Sequence, residues 1–325
     1  MKRTDMHHWK SGAVMLLRNA LPAVAILAGG LWMQQHFQHE IGKRNSRQYS
    51  REMASLLQEK IITTPASGAV RSLGISNKRL KAVVGGKLPE DNPDLVISLE
   101  SLRKCIGADL VYAMNRDGRV VCSTVYDDGR RLTGNNYAFR PYFQKAIAGK
   151  FTTFPALGAT TFQRGLYYAA PIRTNAGCDH STDDIIGVVV IKMPFDAIDN
   201  TLSAATDLIS LVSPQGVVLS SSNHDWLFSV IPQLESTATN TATETLTPEY
   251  DSAFFLSRTH AFPLSLETDT NPWQGTNYFI QAFPFNLDDP AGDWTLLVLQ
   301  NTSDWYPPEQ TILTTLLLLA FCIAV

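Results

Sequence analysis

The most apolar stretches of the sequence lie near its two ends. Residues 11–33 read SGAVMLLRNALPAVAILAGGLWM, with one charge at Arg18, and residues 311–325 read TILTTLLLLAFCIAV, with no charge. The first run is long enough to cross a hydrocarbon core of roughly 30 Å, and basic residues precede it. This pattern predicts a cytoplasmic N-terminus over 1–10, a transmembrane helix over 11–33 and the truncated start of a second transmembrane helix over 311–325.

The segment between these runs, residues 34–310, is therefore predicted to form an extracytoplasmic domain. Its first part is polar, but apolar residues recur at helical spacing, which predicts a long helix over 34–75. From residue 109 the spacing becomes that of strands. DLVYAMNRDGRVVCST (109–124) places two apolar runs on either side of Asp117-Gly118, which indicates a β-hairpin.

A second copy of this hairpin follows later in the chain. DLISLVSPQGVVLSSS (207–222) aligns with the first copy without gaps at an offset of 98 residues (207 against 109), and two further strand-like runs follow each copy. The predicted fold class is α+β, with the long helix followed by two tandem modules that contain mainly antiparallel sheets. The distal module is expected over 76–200 and the proximal module over 201–305.

Composition and motifs narrow the function classes. The hydrophobic content of 45% is too high for a disordered chain, and the formal net charge of −3 gives no reason to expect a nucleic-acid partner. The sequence has no nucleophile elbow, no H-E-x-x-H helix and no phosphate-binding loop. No enzymatic activity and no cofactor are therefore predicted for this segment.

Two polar clusters have a chemical and a structural interpretation. CDHSTDD (178–184) contains metal-ligand residue types, and His224 lies near the serines of 220–222. We favour a solvated turn for the first cluster and a structural role for the second, and predict neither a metal site nor catalytic residues. Cys105, Cys122 and Cys178 lie outside the predicted membrane, where disulfides can form, and their pairing is left open.

A more informative group of residues lies in the distal module. Arginine, lysine, tyrosine and threonine side chains there would together form a donor-rich, partly apolar pocket that suits a small carboxylate. The candidate ligand-binding residues are Arg140, Tyr142, Thr160, Thr161, Tyr167, Tyr168 and Lys192. Strand alternation places Tyr167 and Tyr168 on opposite faces of a strand, so one of them is expected to face the ligand, and the sequence does not say which.

Lys192 is the most informative member of this group. It ends an apolar run, 188–191, that should be buried, so its ammonium group must reach solvent or meet a negative partner. The structural alternative is that Arg140 braces a helix, the tyrosines fill the core and Lys192 extends to solvent at a strand end. The concentration of these residues in one module favours the ligand-binding interpretation.

Three segments carry a resemblance to a known family. NYAFRPYFQKAIAGK (136–150), ALGATTFQRGLYYAAPI (156–172) and GVVVIKM (187–193), in this order, resemble the double Cache sensor domains, which are tandem PAS-like modules of bacterial membrane receptors. Within that family the sequence is most similar to the C4-dicarboxylate sensor histidine kinases. Leu166 departs from their pattern, which usually has an aromatic residue there, so the ligand could be a different organic acid.

The resemblance implies a location and a function. It implies a receptor in the bacterial inner membrane, with residues 34–310 in the periplasm and a small organic acid bound among the candidate residues. The partners it implies are this ligand, the lipid bilayer and a second copy of the chain that pairs through the long helix. A cytoplasmic output such as a histidine kinase would follow residue 325. The alternative is a Cache sensor for an amino acid or amine, attached to a diguanylate cyclase or a chemoreceptor.

Overall fold

The computed structural model describes most of the chain. The described residues are 5–158, 163–174, 184–231, 234, 259–266, 268, 270–287, 289, 292–305 and 308–324. The chain divides into two compact units. One comprises Met1–Ser50, Thr268–Ile280 and Leu299–Val325, and the other comprises Arg51–Glu267 and Gln281–Val298. The candidate residues of the distal module all belong to the second unit.

Helices dominate the first third of the chain. They are α1 (Asp5–Ile62), α2 (Pro65–Ser76), α3 (Lys78–Val84) and α4 (Pro93–Ile106). The prediction of one continuous helix over 34–75 is wrong, because the helix ends at Ile62 and a new one starts at Pro65. The Thr64 hydroxyl accepts a hydrogen bond from the Ser67 N–H and caps α2, and Pro65 fits the first turn of this helix, where no backbone N–H is needed.

The two predicted membrane spans fall on α1 and on the last helix, α7 (Pro308–Ala324). Within the part of the chain that the structure describes, no helix combines the length and the hydropathy that crossing a bilayer requires. The helical character predicted for both segments is nevertheless present, since α1 includes all of 11–33 and α7 includes 311–324.

The distal module contains an antiparallel sheet. Its strands are β1 (Leu110–Asn115), β2 (Val120–Ser123), β3 (Thr152–Leu157), β4 (Arg164–Arg173) and β5 (Ile185–Pro194). Neighbouring strands follow the order β2-β1-β5-β4-β3. One face of this sheet shares a core with α2, α3, α4 and the last turns of α1, and the other face packs against the short helix α5 (Pro141–Ile147).

The proximal module contains a second sheet of the same kind. After α6 (Asp196–Ser203) come β6 (Leu208–Val212), β7 (Val218–Ser221), β8 (Ser229–Val230), β9 (His260–Ala261), β10 (Thr270–Trp273), β11 (Thr276–Phe285) and β12 (Trp294–Asn301). The sheet order is β10-β11-β12-β6-β7, and β8 and β9 form a separate parallel pair. Two antiparallel sheets with helices confirm the predicted α+β class.

The predicted internal repeat is visible in individual hydrogen bonds. Tyr112 pairs with Ser123 in the first hairpin and Ser210 pairs with Ser221 in the second, again at an offset of 98 residues, and each hairpin has an irregularity at the equivalent position. In each hairpin a side-chain hydroxyl just after the second strand accepts a hydrogen bond from a backbone N–H of the first strand. These bonds are Val111 N to Thr124 Oγ1, 2.9 Å, and Ile209 N to Ser222 Oγ, 2.8 Å.

The close packing of α2 on β4 gives a stability prediction. A Cβ atom at Gly74 would overlap the carbonyl oxygen of Pro171, whereas a Cβ at Gly68, in the same helix, would meet nothing within 4 Å. Gly74→Ala is expected to lower the free energy of unfolding by about 2 kcal/mol, because backbone must move. Gly68→Ala is the matched control and should raise it by about 0.5–1 kcal/mol through helix propensity. Urea unfolding followed by circular dichroism measures both, and a stabilising Gly74→Ala would contradict this packing.

Candidate functional site

The register of the distal sheet brings two candidate side chains, Tyr167 and Lys192, to one face. Lys192 on β5 lies opposite Tyr167 on β4 and opposite Leu110 on β1. Because side chains alternate along a strand, Tyr112, two residues after Leu110, lies on the same face. This face, with Tyr112, Tyr167 and Lys192, is called the front face below.

Helix α5 covers the front face with the F-R-P-Y-F segment. Pro141 occupies the first helical turn, and Arg140 is the residue that precedes the helix. The Tyr142 ring stacks on the Tyr167 ring, with centroids 5.0 Å apart and planes inclined by 3°. The Tyr142 hydroxyl lies 2.8 Å from the Tyr112 hydroxyl, so helix and sheet are joined by stacking and by a hydrogen bond.

Arg140 is buried beside the end of β3. Its side chain is almost fully buried, and its Nη2 donates to the carbonyl oxygen of Leu157 at 3.1 Å. Leu157 is the last residue of β3 and pairs with Arg164, the first residue of β4. Lys192 pairs with Tyr167, which lies three residues after Arg164 on β4. The side chains of Arg140 and Lys192 therefore lie toward the same end of the sheet.

Lys192 is fully buried and meets a carboxylate. Its Nζ lies 3.1 Å from Asp109 Oδ2, and the Asp109 side chain is 28% exposed. The contact lacks hydrogen-bond alignment at Nζ, so it is an ion pair. The Lys192 alkyl chain crosses Gly165, where a Cβ atom would overlap the Lys192 Cε. Of the two alternatives that the sequence left open for the Lys192 ammonium group, solvent or a negative partner, the structure shows a negative partner, Asp109.

The Tyr112 hydroxyl of the front face is protonated. Burial raises the pKa of Tyr112 well above its ordinary value, and the neighbouring Tyr142, Tyr167 and Tyr137 raise it further. The Tyr112 hydroxyl therefore stays neutral at physiological pH. Together with the two cations, the tyrosine hydroxyls of this face form a surface rich in donors, which is suited to holding an anion. Tyr112 was not among the predicted site residues, although its position two residues into the predicted strand could have indicated it.

The remaining candidates divide into two groups. Thr160 and Thr161 lie outside the described residues; the backbone on either side is joined by a bond from Gly158 N to Gln163 O, 2.9 Å. Tyr168 lies on the opposite face of the sheet, where its hydroxyl donates to the Ile61 carbonyl oxygen at 2.6 Å. Alternation along β4 makes Tyr168 part of the helical core, so Tyr167 is the tyrosine of this pair that lies on the front face.

The weaker chemical interpretations gain no support. Among the residues that the structure describes, no group of histidine, cysteine, aspartate and glutamate side chains could hold a metal ion. The cluster 178–184 falls outside them except for Asp184. The Ser220 hydroxyl donates to Asp199. Cys105 and Cys122 are free thiols, and burial raises the pKa of Cys122 to about 12, while Cys178 is not described.

The duplicated hairpin, the two antiparallel sheets and the helix-covered front face define a tandem PAS-like fold. Among solved structures, the crystal structure of the sensor domain of the V. cholerae histidine kinase DctB matches with a TM-score of 0.57 and 23% identity over 82% of this chain and 98% of that one. The ligand-binding domain of the Pseudomonas fluorescens chemoreceptor CtaA, in complex with L-isoleucine, matches with a TM-score of 0.50 and 16% identity over 84% of this chain and 97% of that one. These likenesses establish the fold.

Two curated proteins are similar in sequence. The C4-dicarboxylate transport sensor protein DctB of Pseudomonas aeruginosa is 26% identical over 233 residues, which cover 68% of this chain and 34% of that protein. The protein of the same name from Rhizobium meliloti is 28% identical over 150 residues, 45% of this chain and 23% of that protein. No protein-family model matches the chain. The resemblance to double Cache domains and to C4-dicarboxylate sensors is confirmed, and the chain spans about a third or less of these relatives.

Proposed function

We propose that this chain is the extracytoplasmic sensing region of a bacterial transmembrane receptor and that its distal module binds a small organic acid of the C4-dicarboxylate type. The observation that carries the proposal is the pair of buried cationic side chains, Arg140 and Lys192, at one end of a tyrosine-lined face. The proposed ligand contacts are these two residues with Tyr142, Tyr167 and the undescribed Thr160 and Thr161.

The charge distribution supports an anionic ligand. Burying a charge is unfavourable unless a partner compensates it. Lys192 is completely buried, and its described carboxylate partner, Asp109, is itself partly exposed to solvent. Arg140 is almost fully buried as well, and its Nη2 donates to the carbonyl oxygen of Leu157. A bound carboxylate would accept charge-assisted hydrogen bonds from both cations. A ligand with two carboxylates could pair one carboxylate with each cation.

The names of the similar curated proteins suggest which class of acid the ligand belongs to. The similar curated proteins are named as C4-dicarboxylate transport sensors, which is why a dicarboxylate is the first choice. An amino acid is the second candidate, because Asp109 offers a carboxylate beside Lys192 that could accept a ligand ammonium group. The structure of the chemoreceptor domain with L-isoleucine shows that a domain of this fold can hold such a ligand.

The proposed location and assembly rest on exposed apolar side chains. Trp32 and Met33 on α1 and Leu316 and Leu317 on α7 are largely exposed, which supports contact of these helix segments with a lipid bilayer. Phe37, further along α1, is also exposed and supports pairing with a second copy of the chain. A ligand with different affinity for two arrangements of the domain would shift their populations. The output, proposed to be a histidine kinase, would follow residue 325.

A binding screen tests this function. The full chain in detergent micelles is titrated with succinate, with its uncharged analogue succinamide and with L-isoleucine, and thermal unfolding is followed by intrinsic fluorescence. Succinate at 100 times its dissociation constant should stabilise the chain by about 2.7 kcal/mol, and succinamide should have no effect. Stabilisation by L-isoleucine alone would favour the amino-acid candidate. No shift with either acid would contradict the proposed site.

A further inference from the structure

Arg164, the first residue of β4, extends from the distal sheet into the proximal module. Its Nη1 and Nη2 donate to the two carboxylate oxygens of Asp199, on α6, at 3.0 and 2.8 Å. Nη1 also donates to the carbonyl oxygen of Leu219, on β7, at 2.8 Å. One guanidinium group therefore joins three elements: the start of β4, the helix between the modules and the first hairpin of the second sheet.

The surroundings of this contact fix its geometry. The side chains of Arg164 and Asp199 are 19% and 12% exposed, and the Asp199 carboxylate also accepts a bond from the Ser220 hydroxyl. The Arg164 guanidinium lies 5.4 Å from the centroid of the Phe195 ring. A planar guanidinium that bonds a carboxylate through two parallel N–H groups permits little sliding or rotation. A displacement of β4 is therefore transferred to α6 and β7.

Both cations of the candidate site contact the backbone next to Arg164. Arg140 donates to the carbonyl of Leu157, and Leu157 is the residue paired with Arg164 across the β3–β4 ladder. The Lys192 alkyl chain lies against Gly165, the residue after Arg164. A ligand that draws Arg140 and Lys192 together would act on the two strand ends from which the Arg164 side chain projects.

We propose that Arg164 is the positioning residue that couples the distal site to the proximal sheet. Its bonds to Asp199 and Leu219 make β4 and β7 move together. The two modules also share an apolar core, but apolar contacts are non-directional and do not fix one arrangement. That a bound ligand drives this movement rests on the proposed function. That Arg164 joins β4 to β7 mechanically does not.

Hydrogen exchange followed by mass spectrometry tests the coupling in the full chain, with succinate as the probe. The variants are Arg164→Gln, Arg164→Lys and Asp199→Asn. The matched control is Arg130→Gln, which removes the same charge from an exposed pair with Asp128. In the wild type, succinate should slow exchange both in 110–123 and in 208–221. In Arg164→Gln the dissociation constant should change less than about threefold and the slowing in 110–123 should persist, while the slowing in 208–221 should fall at least tenfold.

The other variants sharpen the test. In Asp199→Asn the slowing of exchange in 208–221 should be lost as in Arg164→Gln. In Arg164→Lys it should be intermediate between Arg164→Gln and the wild type, and in Arg130→Gln it should equal that of the wild type. Unchanged slowing in 208–221 of Arg164→Gln would overturn the inference. Loss of succinate binding in Arg164→Gln would also overturn it, because Arg164 would then belong to the binding site itself.

A chain that does not bind succinate would disprove the proposed function but not the mechanical coupling. Hydrogen exchange in increasing concentrations of urea then tests the mechanical coupling in the absence of ligand. In the wild type, 110–123 and 208–221 should open with one common free energy. In Arg164→Gln the two segments should open separately, with 208–221 at lower urea. A common opening in this variant would overturn the coupling.

Discussion

Lys192→Met is expected to weaken succinate binding at least about 100-fold, because a fully buried cation that pairs with a carboxylate contributes several kcal/mol to binding. The same change should leave the melting temperature nearly unaffected. Methionine retains the length and apolar character of the lysine stem that lies over Gly165, and the Asp109 carboxylate that loses its partner is partly exposed to water. Isothermal titration calorimetry and thermal unfolding measure the two quantities on the same samples.

The control for this prediction removes a lysine charge elsewhere in the same module. Lys150, just after α5, is exposed, and Lys150→Met should change neither binding nor stability. Because the Asp109 side chain is 28% exposed, water can solvate it when Lys192 is lost, so only a small loss of stability is expected. Unchanged binding in Lys192→Met would show that Lys192 serves only to balance Asp109, which is the structural alternative.

The hairpins show which parts of this fold the sequence can predict. Turn chemistry at Asp117-Gly118 is a local signal, and the ungapped repeat at 207–222 extends it to the second hairpin. Both hairpins are present as paired strands with matching registers. The break between α1 and α2 was equally local, since a threonine followed by proline is a helix start signal. It was missed because the apolar spacing on either side of it continues without interruption.

The sequence proposes the candidate site as a group of residues and not as an arrangement. Alternation along β4 separates Tyr167 from Tyr168, but only pairing with β5 shows that Tyr167 shares a face with Lys192. The partners of Arg164 lie 35 and 55 residues away in sequence, on elements whose packing no local pattern specifies. The sequence therefore indicated the cations and tyrosines and missed Asp109, Tyr112 and Arg164.

Gly165→Ala should both destabilise the chain and weaken succinate binding. The added methyl group would overlap the Lys192 alkyl chain, which is enclosed and cannot simply move into solvent. Overpacking of this kind typically costs about 1–3 kcal/mol in unfolding free energy. Displacing the ammonium group should reduce affinity at least about tenfold, since misplacing one charged contact costs more than about 1.4 kcal/mol. This combination differs from Lys192→Met, which should lose affinity without losing stability.

A double variant isolates the contact between these two residues. In a Lys192→Ala background the space above Gly165 is empty, so Gly165→Ala should there cost less than about 0.5 kcal/mol of unfolding free energy. The difference between the costs in the two backgrounds is the interaction energy of the methyl group with the lysine stem. An equal cost in both backgrounds would mean that the alanine disturbs the β3–β4 ladder instead, and that Gly165 does not determine where the Lys192 ammonium group lies.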